Sequence, residues 1–133
     1  MTLSAVAEAL QLFEAGSRDH LACTLLIESR RAAPETIGFL AQQACEKFIK
    51  CRIILAGGVV SRTHDLDYLA DLAAQRGLEV PADRTALRQL NPYAVAFRYE
   101  SHQEALLNEA STLTLVEVLL QWSEAAFRVA DSE

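Results

Sequence analysis

Residues 41–58 read AQQACEKFIKCRIILAGG, and this stretch decides the fold. Its apolar residues recur in steps of three and four, which places them on one face of a helix with 3.6 residues per turn. A second apolar row widens this face, so more than one neighbouring element must cover the helix. The polar residues share what remains of the surface: Gln42, Gln43, Glu46, Lys47 and Lys50. Gly57-Gly58 ends the helix, since glycine adopts the left-handed C′ conformation at little cost.

The segment before this stretch has the same helical periodicity. Residues 4–31 keep their apolar positions in phase across Gly16, which favours one long helix over two. Pro34 suits the first turn of a helix, so the central helix is predicted to begin there and to run to about Ala56.

Three further helices are predicted after the central one. The first begins near Asp65 and ends at Gly77, and the second begins at the N-cap Asp83 and is interrupted at Pro92. The last covers roughly residues 104–130. No alternating strand pattern of useful length is present, so the predicted fold class is all-α: an antiparallel four-helix bundle with one additional short helix, forming one domain over residues 1–133.

The charge is acidic overall but unevenly distributed along the chain. The formal net charge is −6, whereas residues 47–98 carry 8 basic and 5 acidic groups. The acidic net charge therefore argues against non-specific nucleic-acid binding through a broad basic surface, but the local excess permits one basic patch of phosphate or RNA size. No apolar run is long enough to span a membrane and no signal peptide is recognisable, so we expect a cytoplasmic protein without a membrane partner.

Neither a metal site nor a cofactor motif is predicted. The 3 cysteines have no CxxC or metal-ligand spacing and lie at mostly apolar helical positions. We expect them to be buried as small hydrophobic residues, without disulfides. No P-loop, glycine-rich dinucleotide fingerprint or nucleophile elbow is visible in the chain.

Two polar groups near the central helix are candidates for ligand binding. Lys47 and its polar neighbours either line a ligand or dimer cleft or form a solvated helix face with a Glu46–Lys50 pair. The segment Arg62-Thr63-His64-Asp65 either holds an anion at a helix N-terminus or caps that helix.

A third candidate group lies near the interruption at Pro92. Tyr93, Arg98, Tyr99 and His102 combine two stacking surfaces, a guanidinium fork and a titratable ring. Such a set suits a nucleotide or single-stranded RNA. The alternative is interhelical packing, with Arg98 paired to an acid such as Asp19 or Glu46.

Several of these segments together resemble the HEPN domains, which are small helical bundles. The resemblance rests on QQACEKFIK at residues 42–50, RTHDL at residues 62–66, Tyr93 and Arg98-Tyr99. It implies a homodimer, nucleotide binding and a minimal nucleotidyltransferase as partner, often in a toxin–antitoxin pair. The residues then expected to bind a nucleotide or RNA are Lys47, Arg62, His64, Tyr93, Arg98 and Tyr99.

The resemblance also implies an alternative function. One branch of the family comprises metal-independent RNases that place an Arg and, four to six residues later, a His at the dimer cleft. Here Arg98 and His102 have three residues between them. Our first hypothesis is a non-catalytic or weakly catalytic HEPN protein that binds a nucleotide, RNA or a partner nucleotidyltransferase. The alternative is an endoribonuclease toxin with Arg98 and His102 as its catalytic residues.

Overall fold

A computed structural model describes residues 2–60, 62–95 and 107–132, with side chains to residue 128. These residues contain five α-helices and one short 3₁₀ helix, and no strand. The helices are α1 (Leu3–Ser29), α2 (Pro34–Leu55), α3 (Leu66–Gln75), α4 (Arg84–Leu90), the 3₁₀ helix (Asn91–Ala94) and α5 (Glu109–Ser132). The predicted all-α fold class is confirmed, whereas the finer arrangement as an antiparallel four-helix bundle stays a prediction.

The first helix is continuous through its glycine, as predicted. The Thr2 side chain caps its start by accepting a hydrogen bond from Ala5 N. Gly16 is buried, and a Cβ there would lie 2.8 Å from the Phe48 ring of α2. Glycine at this position therefore permits the close approach of α1 to α2, and packing offsets its low helix propensity.

The second helix forms the centre of the molecule. It begins at Pro34 and ends at Leu55, where Gly57 takes a φ of 84°, so both predicted boundaries are confirmed. Most of its apolar side chains are buried between α1, α3 and α5. The wide apolar face of residues 41–55 is thus covered by several neighbours, as its pattern predicts.

The two other long helices pack against the central one. Along α1, Cys23 contacts the Ile37 carbonyl whereas Phe13 lies 5.8 Å from Phe48 between ring centroids, so α1 and α2 run antiparallel. Phe13 also lies 5.5 Å from Phe127, and His20 lies 3.5 Å from Glu117. Because these contacts also run in opposite order, α1 is antiparallel to α5 as well.

A half-buried arginine joins α2 to α5. The Arg52 guanidinium lies 4.6 Å from the centroid of the Trp122 ring, and its Nη1 donates to the Trp122 carbonyl at 2.7 Å. Burial lowers the pKa of Arg52 from its ordinary value. Trp122 packs against the main core, so the ring contributes to the protomer's own packing.

Two short helices follow the central one and are capped by aspartates. Asp65 accepts from Asp67 N at 3.0 Å at the start of α3, and Asp83 accepts from Thr85 N at 2.9 Å at the start of α4. The helix α4 ends before Pro92, where the chain tightens into the 3₁₀ helix. The predicted Asp83 cap and the predicted interruption at Pro92 are confirmed.

The last helix begins later than predicted. Its first residue is Glu109, because Asn108 caps the helix by accepting a hydrogen bond from Ser111 N at 2.9 Å. Leu107 and Asn108 precede the helix and belong to no regular element, so the predicted start near residue 104 is wrong by about one turn. Within the described ranges, no helix is long and apolar enough to cross a membrane.

Candidate functional site

A row of polar side chains on α2 is buried instead of solvated. Gln42, Glu46 and Lys50 follow one another at intervals of four residues, so they lie on one helical face. Gln42 is fully buried, Glu46 is 5% exposed and Lys50 is 9% exposed. The interpretation of this face as solvated is therefore wrong for these three residues, because the chain after α2 folds back over them.

Glu46 is the centre of this row. Its Oε1 lies 2.7 Å from His64 Nδ1 and accepts from Gln42 Nε2 at 3.4 Å, while its Oε2 accepts from Lys50 Nζ at 3.1 Å. The Glu46 carboxylate thus balances the charge of the Lys50 ammonium and orients the His64 imidazole. The His64 side chain is 62% exposed, so its ring faces solvent while Nδ1 contacts the acid.

The segment between α2 and α3 is held on α2 by the same residues. Gln42 Nε2 donates to the His64 carbonyl at 2.7 Å, and Gln43 Nε2 donates to Gln42 Oε1 at 2.8 Å. A buried amide must find partners for both its donors and its acceptor. The Gln42 side chain meets this requirement by fixing the position of His64.

A cleft of about 330 Å³ lies beside this row. It is enclosed by the first half of α1, by α2 and by the α2–α3 connection. Its lining residues are Glu8, Gln11, Leu12, Lys50, Val60 and Arg62. Two cations therefore line the cleft with one acid, and within the described part of the chain Arg62 has no ion-pair partner. Lys50 connects the cleft to Glu46, and Glu46 connects it to His64.

The predicted binding residues are spread over three places. Arg62 and His64 flank the Glu46–Lys50 pair, one lining the cleft and the other contacting the acid. Lys47 instead pairs with Asp19 of α1. Tyr93, in the 3₁₀ helix, packs its ring against Gly38 near the start of α2. The structure therefore does not gather Lys47, Arg62 and Tyr93 into one site.

The remaining predicted residues, Arg98, Tyr99 and His102, lie outside the described residues. The two acids suggested as partners for Arg98 are engaged elsewhere. Asp19 pairs with Lys47, and Glu46 pairs with Lys50.

The N-terminus of α3 is occupied by the protein itself. Asp65 accepts from the backbone N–H groups of Asp67 and Tyr68, and Asn91 Oδ1 accepts from Leu66 N at 2.9 Å. Asn91 also donates to Asp65 Oδ1 at 2.9 Å. With these donors satisfied and a carboxylate in place, the geometry favours the capping interpretation of this segment over anion binding.

A second cavity, of about 450 Å³, lies at the end of α3. Its cation, Arg84, already bonds Asp67 and Asp71 at 2.8 Å each. These bonds, with that of Arg88, hold the pKa of Asp67 below its ordinary value. Arg84 therefore links α3 to α4, and the described lining of this cavity has no free cation to offer a ligand.

The cysteines are buried as predicted. Burial raises the pKa of Cys23 to about 11 and that of Cys51 to about 12, and it also raises the pKa of Cys45. Thiols in this state are poor nucleophiles and poor metal ligands. No group of His, Cys, Asp and Glu residues suited to a metal ion occurs in the described ranges.

Sequence reasoning placed Lys50 among the residues that could line a cleft, but it missed Glu8 and Gln11. The signal for Lys50 is that Gln42, Glu46 and Lys50 recur every four residues on a helix that must be covered on most sides. No comparable signal marks Glu8 and Gln11. They line the cleft together with Val60 and Arg62 only because the α2–α3 connection folds back towards α1.

The family model described as HEPN domain matches residues 9–127, which is nearly the whole chain. No curated protein and no solved structure gives a match to the chain. The segments at residues 42–50 and 62–66 that suggested the resemblance both lie within the matched range. They supply the buried polar row and the connection that covers it. This chain belongs to the HEPN family.

Proposed function

We propose that this HEPN protein binds a phosphate group of a nucleotide or of RNA in the cleft lined by Lys50 and Arg62. The observation that supports the proposal most directly is the position of Lys50. This lysine is only 9% exposed, yet it lines a cleft that opens to solvent. A cation with little hydration attracts an anion more strongly than one in open water.

The shape and lining of the cleft support a small anionic ligand. Its volume of about 330 Å³ lies at the lower end of the range for small-molecule sites. Arg62 offers a planar fork that suits phosphate oxygens. Leu12 and Val60 provide an apolar wall, and the amide of Gln11 can donate or accept.

The charges near the cleft limit the expected affinity. Glu46 already accepts from Lys50 at 3.1 Å, and Glu8 adds a second carboxylate at the cleft. A phosphate therefore competes with these acids, so we expect a dissociation constant of about 0.1–1 mM. Arg62, which has no ion-pair partner in the described part of the chain, supplies the local attraction that the acidic chain as a whole lacks.

Ligand-dependent thermal stabilisation tests the proposal. The full chain is heated with ATP, with GTP or with a short single-stranded RNA, in the presence of a chelator. At ten times the dissociation constant a ligand should stabilise the fold by about 1.4 kcal/mol, which raises Tm by about 4 °C. Arg62→Gln should abolish most of this rise. Arg31→Gln is the matched control, because Arg31 is exposed in the connection after α1, at the opposite end of that helix from Glu8 and Gln11.

Equal stabilisation of the wild type and of Arg62→Gln would place the ligand elsewhere, and no stabilisation by any ligand would contradict the proposal. The same RNA samples, run on a denaturing gel, test the alternative function. Cleavage that disappears in His102→Ala would establish the endoribonuclease and replace a purely binding role. The partner role beside a minimal nucleotidyltransferase is proposed on the resemblance alone, and co-purification of the two proteins tests it.

A further inference from the structure

The side of the cleft formed by α1 carries polar groups that binding of a phosphate does not explain. Three of the lining residues, Glu8, Gln11 and Leu12, belong to α1, whereas the two cations come from α2 and from the α2–α3 connection. The three α1 residues are spaced by three and four positions, so their side chains project from one face of the helix. The cleft therefore has cations on one side and, on α1, a carboxylate and an amide.

The carboxylate of Glu8 is exposed and has no ion-pair or hydrogen-bond partner within the residues that the structure describes. An acid without a partner at a phosphate site lowers the affinity for phosphate by repulsion. A ligand offsets this repulsion if the part that faces α1 carries hydrogen-bond donors, since a carboxylate only accepts. The lining thus fits a ligand with an anionic group at one end and neighbouring donors at the other.

Among the common nucleotide bases, guanine has the groups that match Glu8 and Gln11. Its Watson–Crick edge carries two neighbouring donors, the N1–H and the N2 amino group, followed by the O6 acceptor. The two oxygens of a carboxylate can accept from both donors at once, and the amide of Gln11 can donate to O6. Adenine instead directs the lone pair of its N1 at a carboxylate, and cytosine and uracil have one donor on this edge with acceptors beside it.

We propose that the cleft selects a guanine nucleotide and that Glu8 is the residue that recognises the base. The phosphate binds the two cations, and the edge of the base meets Glu8 and Gln11 across the cleft. Leu12 and Val60 then contact the ring through their apolar side chains. This inference rests on the proposed function for the phosphate and adds the identity of the base.

The exposure of Glu8 limits the selectivity. Because water competes for its carboxylate oxygens, we expect GMP to bind only about tenfold more tightly than AMP, far less than the discrimination of a buried polar site. IMP keeps the N1–H and O6 of GMP but lacks the N2 amino group. It should bind about threefold more weakly than GMP, since one of the two bonds to the carboxylate is lost.

Thermal melts of the full chain with GMP, IMP, AMP and ribose 5-phosphate measure this selectivity. Each ligand is added from about 0.01 to about 30 mM, and the dependence of Tm on its concentration gives the dissociation constant. Ribose 5-phosphate has no base, so it reports the phosphate site alone. The expected order of the three nucleotides, from tightest to weakest, is GMP, IMP and AMP.

Glu8→Gln tests whether the carboxylate recognises the base. The variant keeps the shape of the side chain but should lose the preference of about tenfold for GMP over AMP. Ribose 5-phosphate should bind it at least as tightly as it binds the wild type, because an acid has been removed from the cleft. Glu14→Gln is the matched control, since it makes the same change at an exposed position of α1 outside the cleft and should keep the preference for GMP.

The outcomes separate this inference from the function on which it rests. Both altered residues are exposed, so both variants should melt like the wild type without ligand. Equal affinities of the wild type for GMP and AMP, or a preference for GMP that survives in Glu8→Gln, would overturn the recognition of guanine and leave the phosphate site standing. If none of the four ligands raises Tm, the phosphate site is overturned and the selection of guanine with it.

Discussion

Replacing Glu46 by methionine should destabilise the fold strongly. The substitution keeps the approximate volume of the side chain but removes the carboxylate that accepts from Lys50 at 3.1 Å. Lys50 would then be a charged group, 9% exposed, without its anionic partner. Gln42 Nε2 would lose one acceptor and keep the other, the His64 carbonyl at 2.7 Å.

The size of the effect follows from the burial of each partner. Removing one member of a buried ion pair costs about 3–5 kcal/mol, because the other charge stays buried. Lys50 lines an open cleft, so the lower end, about 3 kcal/mol, is the appropriate value. The contact with His64, whose side chain is 62% exposed, adds about 0–1 kcal/mol. The sum is a large part of the stability of an ordinary domain, about 5–15 kcal/mol.

A double-mutant cycle measures the free energy of interaction between Glu46 and Lys50 directly. Urea unfolding followed by far-UV circular dichroism gives the free energy of unfolding of the wild type, E46M, K50M and E46M/K50M. The double variant should be more stable than either single variant, because it leaves no unpaired charge. E124M is the control, since the exposed Glu124–Arg128 pair should contribute about 0.5 kcal/mol or less. Additive losses in the double variant, or a loss in E46M no larger than in E124M, would refute the argument.

Two further perturbations test the packing around the site. Gly38→Ala should destabilise the protein by about 1–3 kcal/mol, because the added Cβ overlaps the Tyr93 ring. Thermal melts measure the loss. An unchanged Tm would contradict the close approach of the Tyr93 ring to α2 at Gly38. Asp67→Asn should lower the urea midpoint at pH 7 but have little effect well below pH 3.8, the ordinary pKa, because Arg84 and Arg88 hold the pKa of Asp67 below that value. A carboxyl whose pKa is lower in the folded state stabilises the fold at pH values above its ordinary pKa, and this stabilisation is lost as the pH falls through the pKa of the folded state. A difference in urea midpoint between Asp67→Asn and the wild type that does not change with pH would argue against the ion pairs.

The helices were predictable because local chemistry fixes where they begin and end. Pro34 suits the start of a helix and Gly57 the end of one, and in the structure they lie at the two ends of α2. Asp83 suits an N-cap position, and it caps α4. The start of α5 was misplaced because Asn108, a good N-cap, lies inside a pattern that remains apolar on both sides of it. The continuity of α1 through Gly16 was predicted because its apolar residues stay in phase on both sides of the glycine. That the Phe48 ring requires a glycine there could be seen only in the structure.

The candidate site was harder to predict because it is built by contacts between residues distant in sequence. The bond from Gln42 to the His64 carbonyl joins residues 22 positions apart. Periodicity shows that Gln42, Glu46 and Lys50 share a face, but not that the α2–α3 connection returns over this face. The same fold-back brings Arg62 to the cleft with Glu8 of α1, which no spacing indicates.

The double variant E46M/K50M also separates stability from function. A buried ion pair is weak evidence for a stabilising role, because a well-packed apolar replacement is often neutral or more stable. If Glu46 and Lys50 served the fold alone, nothing would favour keeping two charges next to a cleft. The double variant should therefore fold about as well as the wild type, as urea unfolding measures. It should nevertheless lose most of the phosphate-dependent rise in Tm, since Lys50 no longer lines the cleft. A stable double variant that still responds to nucleotide or RNA as the wild type does would show that the ligand binds elsewhere.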